Sequence, residues 1–223
     1  MNPSINTAAR GAESVLATNK VLRNTYMLLS LTLVWSAMTA GVSMVVAAPP
    51  MVSLVCLIAG FVTAIFILPK TANSGAGLIT VFVVTGLLGF ALGPMLNQYL
   101  TLSNGPQLIG MALGGTGAIF LALSGYVLTT QKNFSFMGGF LAVGMMVVLL
   151  AIVANLFLQI PVLQLTISAA VIFIMSGFIL FDTSRIIHGG ETNYIMATVG
   201  LYLTIFNIFI HLLSILGIMG GDD

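Results

Sequence analysis

The sequence predicts an all-α membrane protein with seven transmembrane helices, the seventh of them central in the bundle. Composition is the first reason: of 223 residues, 59% are hydrophobic and only 5% are charged, whereas a soluble domain carries about 25% charged residues. The second reason is the spacing of those charges, which leaves apolar stretches longer than the ~20 residues that a helix needs to cross a bilayer. A water-soluble globule and a disordered chain are both excluded.

The predicted helices follow from the charge-free stretches 24–69, 71–131, 133–181 and 192–221. The first three can each hold two helices, and the last holds one. Turn signals divide the long stretches at Pro49-Pro50, at Ser103 to Pro106 and at Gln159 to Pro161. The predicted spans lie near 24–48, 51–69, 76–96, 107–129, 134–158, 162–186 and 194–217.

The chain divides into a polar tail at 1–23, a seven-helix membrane domain at 24–217 and a short C-terminal tail at 218–223. The first 23 residues are interpreted as a cytoplasmic tail or a surface helix. The apolar run that follows is longer than the core of a signal peptide, so it is interpreted as a retained first helix, with cleavage as the alternative.

All six basic residues fall on one side of the predicted membrane topology. They are Arg10, Lys20, Arg23, Lys70, Lys132 and Arg185. The positive-inside rule therefore places the N-terminus in the cytoplasm, and the C-terminus with Asp222 and Asp223 outside. We expect a multi-pass membrane protein, in contact with the lipid bilayer and acting in the membrane or at its cytoplasmic face.

Several classes of function are not supported by the sequence. A net charge of +1 without a basic cluster gives no footprint for nucleic acid, and the single Cys56 excludes a disulfide framework. No catalytic motif is present, and an intramembrane protease pair would need Ser124 close to His211, which nothing in the sequence supports. We expect no enzyme activity, no cofactor and no bound metal.

Asp182 is the first candidate functional residue, near the cytoplasmic end of the sixth predicted span. An aspartate inside a membrane costs about 2.5–3.5 kcal/mol on insertion scales, which makes it a functional-site hypothesis by default. One interpretation is a pH-sensing or ion site. The other is an ion pair with Arg185, one helical turn further along.

The seventh predicted span carries small and polar residues on one stripe, which is typical of a helix that packs inside a bundle. The stripe consists of Ala197, Gly200, Thr204, Asn207, His211 and Ser214. Its polar members have two interpretations. In the first interpretation they hold helices together by hydrogen bonds. In the second, Thr204 and Asn207 line a polar path near Asp182, and His211 carries protons.

The sixth predicted loop, with His188, Gly189, Gly190 and Glu191, has the densest cluster of polar residues. A tight turn is one interpretation, and a docking loop for a cytoplasmic partner is the other. His188 and Glu191 alone are too few ligands for zinc.

Glycines and a proline in the third and fourth spans suggest close packing and a kink. Gly89 and Gly93 form one GxxxG motif, and Gly110 and Gly114 form another, so both pairs predict close helix contacts. Pro94 predicts a kink in the third helix, and Asn97 is a candidate partner for the backbone groups that the kink frees.

Several segments together resemble the transmembrane Bax inhibitor motif family. The run from Gly86 to Leu96, which includes Gly93-Pro94, looks like the family signature, and Ala112 to Thr116 looks like its continuation. Gly117 departs from this pattern, because the family usually has alanine there. The segment from Asp182 to Ile187, with Leu201-Tyr202-Leu203 and Asn207-Ile208-Phe209, resembles the sixth and seventh spans of the family.

This resemblance implies seven helices with the last at the centre, in a bacterial inner membrane. It also implies that this chain, like a bacterial subgroup of the family, binds the membrane-anchored AAA protease FtsH and its HflK/HflC partners as a modulator or substrate. Other members behave as pH-sensitive calcium leaks that use two aspartates. Here Asp182 matches the first aspartate, but the second falls at Thr204, so a paired sensor does not carry over. A Ca²⁺ or H⁺ leak and a plain substrate of quality control remain alternatives.

Overall fold

A computed structural model describes the backbone of residues 3–220 and the side chains of residues 20–220. This part of the chain is built of helices and contains no strand. The α-helices are α1 (Pro3–Val45), α2 (Pro50–Val62), α3 (Leu68–Thr71), α4 (Ala76–Ala91), α5 (Gly93–Leu100), α6 (Gly105–Thr130), α7 (Gly138–Leu158), α8 (Pro161–Ile187) and α9 (Tyr194–Gly220). A π-helical segment at Thr63–Ile67 joins α2 to α3, and a 3₁₀ turn at Ser135–Met137 precedes α7.

Within residues 3–220, seven helical segments are long and apolar enough to cross a membrane, which confirms the predicted fold class. They are Lys20–Val45, Pro50–Thr71, Ala76–Leu100, Gly105–Thr130, Ser135–Leu158, Pro161–Ile187 and Tyr194–Gly220. The predicted boundaries agree with these bounds to within a few residues. The second span is α2 with the π-helical segment and α3, and the third is α4 with α5.

The ends of the chain differ in detail from the predicted tails. α1 is continuous from Pro3, so the backbone of residues 3–23 is helical and runs directly into the first span. At the other end α9 continues to Gly220, beyond the predicted limit of 217. Asp222 and Asp223, which carry the predicted external charge, lie outside the described residues, and the side of the membrane assigned to each tail stays a prediction.

The third span is interrupted where Pro94 predicted a kink. α4 ends at Ala91 and α5 begins at Gly93, with Pro94 in its first turn, where a missing N–H costs nothing. Asn97 does not bond to the backbone groups at the kink. Its Nδ2 donates to the carbonyl oxygen of Met44 at 3.1 Å, so it ties α5 to the end of α1 because that carbonyl lies within its reach.

The two GxxxG motifs behave differently. A Cβ at Gly89 would collide with the backbone oxygen of Ser36, and a Cβ at Gly93 would collide with the side chain of Ser43. This pair therefore permits the close approach of α1 to the third span, as predicted. For Gly110 and Gly114 the prediction was wrong, since a Cβ there would meet nothing within 4 Å.

Gly110 and Gly114 make no close helix contact because of the orientation of α6. It buries Leu108, Ala112 and Thr116, and the first two join Phe209 and Leu213 of α9 in one apolar cluster. Gly110 and Gly114 lie on the exposed side of the same helix.

α9 occupies the centre, as the small and polar stripe predicted. It packs chiefly against α1, α4, α6 and α8, whereas α7 packs chiefly against α8 at the periphery. Leu201, Tyr202, Ile208 and Leu213 of α9 are at most 1% exposed. The chain thus has one helix shielded from lipid on most sides, and polar residues on it are held at defined depths.

The bundle has two faces, which are distinguished by the connections that they carry. The even-loop face carries the second, fourth and sixth connections, at 72–75, 131–134 and 188–193. The odd-loop face carries the first, third and fifth, at 46–49, 101–104 and 159–160. Asp182 lies near the even-loop face, and His211 lies toward the odd-loop face.

Candidate functional site

Asp182 lies in the penultimate turn of α8 and points to α9. Its Oδ2 atom would be 3.5 Å from a Cβ built at Gly200, so the absence of a side chain at Gly200 leaves space for the carboxylate. Asp182 is partly buried, and among residues 20–220 it has neither a hydrogen bond nor an ion pair. A carboxylate without a protein partner therefore lies between the sixth and seventh spans.

Arg185 does not pair with Asp182. Its Nη2 forms an ion pair with Glu191 Oε2 at 3.5 Å and donates to the carbonyl oxygen of Gly190 at 3.2 Å. Its guanidinium also lies over the ring of Phe181, 5.5 Å from the ring centroid. The predicted pair is replaced because Arg185 is one turn closer to the loop, where Glu191 lies within its reach.

Thr204 and Asn207 lie on α9 beyond Gly200, and both bond to their own helix. The Thr204 hydroxyl donates to the carbonyl oxygen of Gly200 at 3.0 Å, and Asn207 Nδ2 donates to that of Leu203 at 2.8 Å. Thr204 is 4% exposed. These donors are therefore occupied by the backbone of α9 itself, and among the described residues no hydrogen bond joins either side chain to Asp182.

The sixth connection is a tight turn that caps α8. Gly189 has a φ of 74°, which favours glycine, and the N–H groups of Gly190 and Glu191 both bond to the carbonyl oxygen of Arg185, at 2.8 and 3.1 Å. His188 Nδ1 bonds to the carbonyl oxygen of Ser184 at 2.9 Å. The polar side chains of this loop thus have structural partners, while His188 itself is exposed.

Asn193 has a larger role than its sequence position suggested. Its Oδ1 accepts from the N–H groups of Ile195 and Met196, at 2.9 and 3.2 Å, and so caps α9. Its Nδ2 donates to the carbonyl oxygen of Ala72 at 3.1 Å and to Asn73 Oδ1 at 2.8 Å. An asparagine just before an apolar helix is a recognisable N-cap signal, but the contact with the second connection has no sequence signal.

A second link on the even-loop face joins the fourth connection to α8. Ser184 Oγ accepts from the N–H of Phe134 at 2.8 Å, and Ser184 is fully buried. Together with the bonds of Asn193, this link joins all three even connections through hydrogen bonds. The even-loop face is therefore one ordered polar surface rather than three independent loops.

Tyr202 is the centre of a buried network that the sequence did not predict. Its hydroxyl donates to the carbonyl oxygen of Thr85 at 3.2 Å and is 2.6 Å from Ser36 Oγ. Tyr202 is 1% exposed. The network joins α1, α4 and α9 at the middle of the bundle, and Tyr202 had been noted only as part of the family pattern.

The two residues considered for an intramembrane catalytic pair bond elsewhere. Ser124 bonds to Tyr26 of α1, and His211 Nδ1 is 3.1 Å from Ser168 Oγ of α8. Among the described residues, no three side chains of His, Cys, Asp or Glu come together in a way that could hold a metal ion. Calcium usually takes six to eight oxygen ligands, so Asp182 alone is not a built calcium site.

Comparison with known proteins extends the resemblance to the whole chain. The profile of the family described as "Inhibitor of apoptosis-promoting Bax1" matches residues 18–221. A Vibrio cholerae protein named "Uncharacterized membrane protein" is 51% identical over 223 residues, which is 100% of both chains.

Two Escherichia coli proteins are 55% identical over 209 residues, 94% of each chain. In strain K12 the name is "Modulator of FtsH protease YccA", and in strain O6:H1 it is "Inner membrane protein YccA". None of these names states an enzyme activity. The signature around Gly93-Pro94, the seven spans and the profile match over nearly the whole length agree, and the chain belongs to the Bax inhibitor family.

Proposed function

We propose that this chain is an inner-membrane regulator that binds the membrane-anchored AAA protease FtsH and its HflK/HflC partners and modulates proteolysis. One observation carries the proposal: the 55% identity to the E. coli protein named as a modulator of FtsH, over 94% of both chains. The proposal also makes the chain itself a substrate of FtsH, and this second role can be tested separately.

The even-loop face is the proposed contact surface. In the proposed orientation, with the N-terminus in the cytoplasm, this face carries Lys70, Lys132 and Arg185. The hydrogen bonds of Asn193 and Ser184 hold its three connections together. A partner on the cytoplasmic side would thus meet a pre-ordered surface, which reduces the entropy cost of association. Each connection contributes exposed residues to this surface, among them 73–75, 131–133 and 188–190.

Affinity purification from native membranes in mild detergent, followed by mass spectrometry, tests the partner. We expect FtsH or HflK/HflC to be recovered in stoichiometric amount. A matched pair of variants locates the contact: His188→Ala, on the exposed loop of the even-loop face, is expected to reduce recovery. Leu102→Ala, in an exposed connection of the odd-loop face, is expected to leave it unchanged. Recovery of the chain alone from wild-type membranes would contradict the proposal.

The N-terminal segment is the proposed handle for degradation. An ATP-driven protease can pull only on an accessible segment, and residues 2–20 precede the apolar part of the first span. Deletion of residues 2–20 is expected to lengthen the half-life of the protein in a pulse-chase measurement while membrane insertion is retained. Unchanged turnover of the inserted variant would remove this role for the segment.

A Ca²⁺ or H⁺ leak is the second candidate function, favoured by the position of Asp182. This carboxylate has no ion pair among the described residues and lies against Gly200 between two spans. Asp182→Asn is expected to change the pH dependence of ion flux in liposomes, whereas Glu191→Gln, at the loop, is the matched control. Flux equal to that of empty liposomes for the wild type would remove this candidate.

A further inference from the structure

A cavity of about 980 Å³ opens at the odd-loop face of the bundle. Its walls come from the end of the third span, the end of α7, the start of α8 and the last turns of α9. None of the lining residues carries a formal charge. Polar side chains line it nevertheless, and they are Gln98, Tyr99, Thr101, Asn155, Gln159, Gln164, Ser168, His211 and Ser214.

Several of these polar groups lack protein partners. Within residues 20–220, the side chains of Gln98, Tyr99, Gln159, Gln164 and Ser214 make no hydrogen bond to another part of the chain. Gln98, Gln159 and Gln164 are exposed and lie at or close to the odd connections, whereas Tyr99 and Ser214 are partly buried. Lipid tails could not bond to the polar atoms of the partly buried pair. Water can satisfy such groups in a cavity that is polar and large enough, and about 980 Å³ is far larger than one water molecule requires.

His211 is the titratable group at the inner wall of this cavity. Its Nδ1 is 3.1 Å from Ser168 Oγ, while its other ring nitrogen has no partner in the described part of the chain. From the third span Tyr99 also faces the cavity, and α7 and α8 contribute no titratable lining residue. An imidazole takes up a proton far more readily than a tyrosine hydroxyl does, so His211 is the lining group that can accept a proton.

We propose that the cavity is a water-filled vestibule that delivers protons to His211, whose ring is held in place by Ser168. In the orientation proposed above the vestibule opens to the external side, but the inference does not depend on the interaction with FtsH. The proposed ligands of the site are water and H⁺.

The vestibule ends before the candidate site at Asp182. Its lining includes neither Asp182 nor Thr204 nor Asn207. Gly200, which faces Asp182, and His211 are eleven positions apart on α9, which corresponds to about 16 Å at 1.5 Å per residue. The fully buried side chains of Ile208 and Ile179 belong to the apolar packing between α8 and α9, so the two polar sites are separate in this structure.

Cysteine accessibility tests the vestibule in the full-length protein. Cys56→Ser removes the single native cysteine, and Ser214→Cys then places a thiol in the cavity. Thr204→Cys on the same helix is the buried control, and Phe173→Cys, at a position 71% exposed toward lipid, is the lipid-facing control. The probe is a charged, membrane-impermeant methanethiosulfonate applied to vesicles of both orientations.

We expect Ser214→Cys to react at least tenfold faster than either control, and only in vesicles that expose the external side. Reaction from the cytoplasmic side alone would support the vestibule and overturn the proposed orientation. If Ser214→Cys reacts no faster than Phe173→Cys in both kinds of vesicle, the cavity is not filled with water.

Chemical modification tests the proton site. His188→Gln leaves His211 as the only histidine, and its reaction with diethyl pyrocarbonate can be followed by mass spectrometry at different pH values in liposomes. Because only neutral imidazole reacts, we expect the rate to fall in a single titration as the pH is lowered. Absence of reaction in the folded protein, with full reaction after unfolding, would overturn the assignment of His211.

Ser168 is tested by its effect on that titration. Ser168→Ala is expected to shift the midpoint, because it removes the hydroxyl bonded to the ring. Thr166→Ala, an exposed position on the same helix whose hydroxyl bonds to its own backbone, is expected to leave it unchanged. Equal midpoints for the two variants would remove Ser168 from the proposal.

Discussion

At the scale of single residues, the bundle depends on a few polar side chains that bond across helices. Tyr202 joins three helices at the centre, and Asn193 joins two connections while capping α9. Such bonds average about 0.6 kcal/mol in membrane proteins, because the unfolded chain also finds partners in the bilayer. Their main contribution is therefore to determine which residues of neighbouring helices come into contact, and their contribution to stability is modest.

Tyr202→Phe is expected to lower the free energy of unfolding by about 1 kcal/mol, since both bonds of the hydroxyl are lost. Unfolding by SDS in mixed micelles measures the change. The matched control is Tyr126→Phe, at a residue that is 44% exposed, and it should change stability by much less. Equal effects of the two variants would contradict a central role for the Tyr202 network.

Asn193 combines two functions that substitution can separate. Asn193→Asp keeps an oxygen that can cap α9 but loses the donor to Ala72 and Asn73, whereas Asn193→Ala loses both. We expect Asn193→Ala to be the less stable variant by about 1 kcal/mol, the typical value of an N-cap. Equal loss in the two variants, measured by the same unfolding assay, would show that the cap contributes nothing.

At the scale of elements, identical motifs have different consequences because helices bury only one face. Gly89 and Gly93 are in contact with α1, while Gly110 and Gly114 are on the open side of α6. The motif indicates that a close approach is possible. Whether another helix lies there depends on which face of the helix the rest of the bundle covers.

Gly89→Ala and Gly110→Ala form a matched pair of substitutions. At Gly89 the added methyl collides with the backbone of Ser36, so we expect a loss of about 1–3 kcal/mol from overpacking. At Gly110 the added methyl meets open space, so stability should stay the same or rise by up to about 1 kcal/mol, the usual helix preference for alanine. Similar destabilisation by both substitutions would contradict the described packing of α6.

At the scale of the whole molecule, α9 separates two polar regions at opposite faces. Asp182 and the joined connections lie at the even-loop face, and the vestibule with His211 lies at the odd-loop face. Apolar packing between α8 and α9 lies between them. A flux of ions through the bundle would therefore require that packing to open, whereas regulation of a partner at the even-loop face would not.

The orientation of the whole molecule is tested with reporters fused after Asp223. We expect alkaline phosphatase to be active there and a fluorescent protein to be dark, because the C-terminus is predicted to be external. The same reporters fused after Lys132, in the fourth connection, should give the opposite result. A fluorescent C-terminal fusion would show that the predicted topology is inverted.

Much of the fold, and less of the site, could be predicted from the sequence. The sequence placed Asp182 on the sixth span and Thr204 and Asn207 on the seventh, and the structure has them on α8 and α9, while a shared function for these residues stays a prediction. The partner of Arg185 could not be predicted. Asp182 and Glu191 are both close in sequence, and only the path of the loop after His188 brings Glu191 to the guanidinium.

The sequence by itself determined that this chain crosses a membrane seven times, because the bilayer requires each span to be long, apolar and internally hydrogen-bonded. It also determined the break at Pro94, which follows from the missing N–H of proline. Only the tertiary structure decided that Gly89 contacts a helix and Gly110 does not, that Tyr202 joins three helices, and that a cavity forms around His211. These features depend on how faces of distant segments meet, and the energy differences between alternative packings are too small to be visible in local sequence patterns.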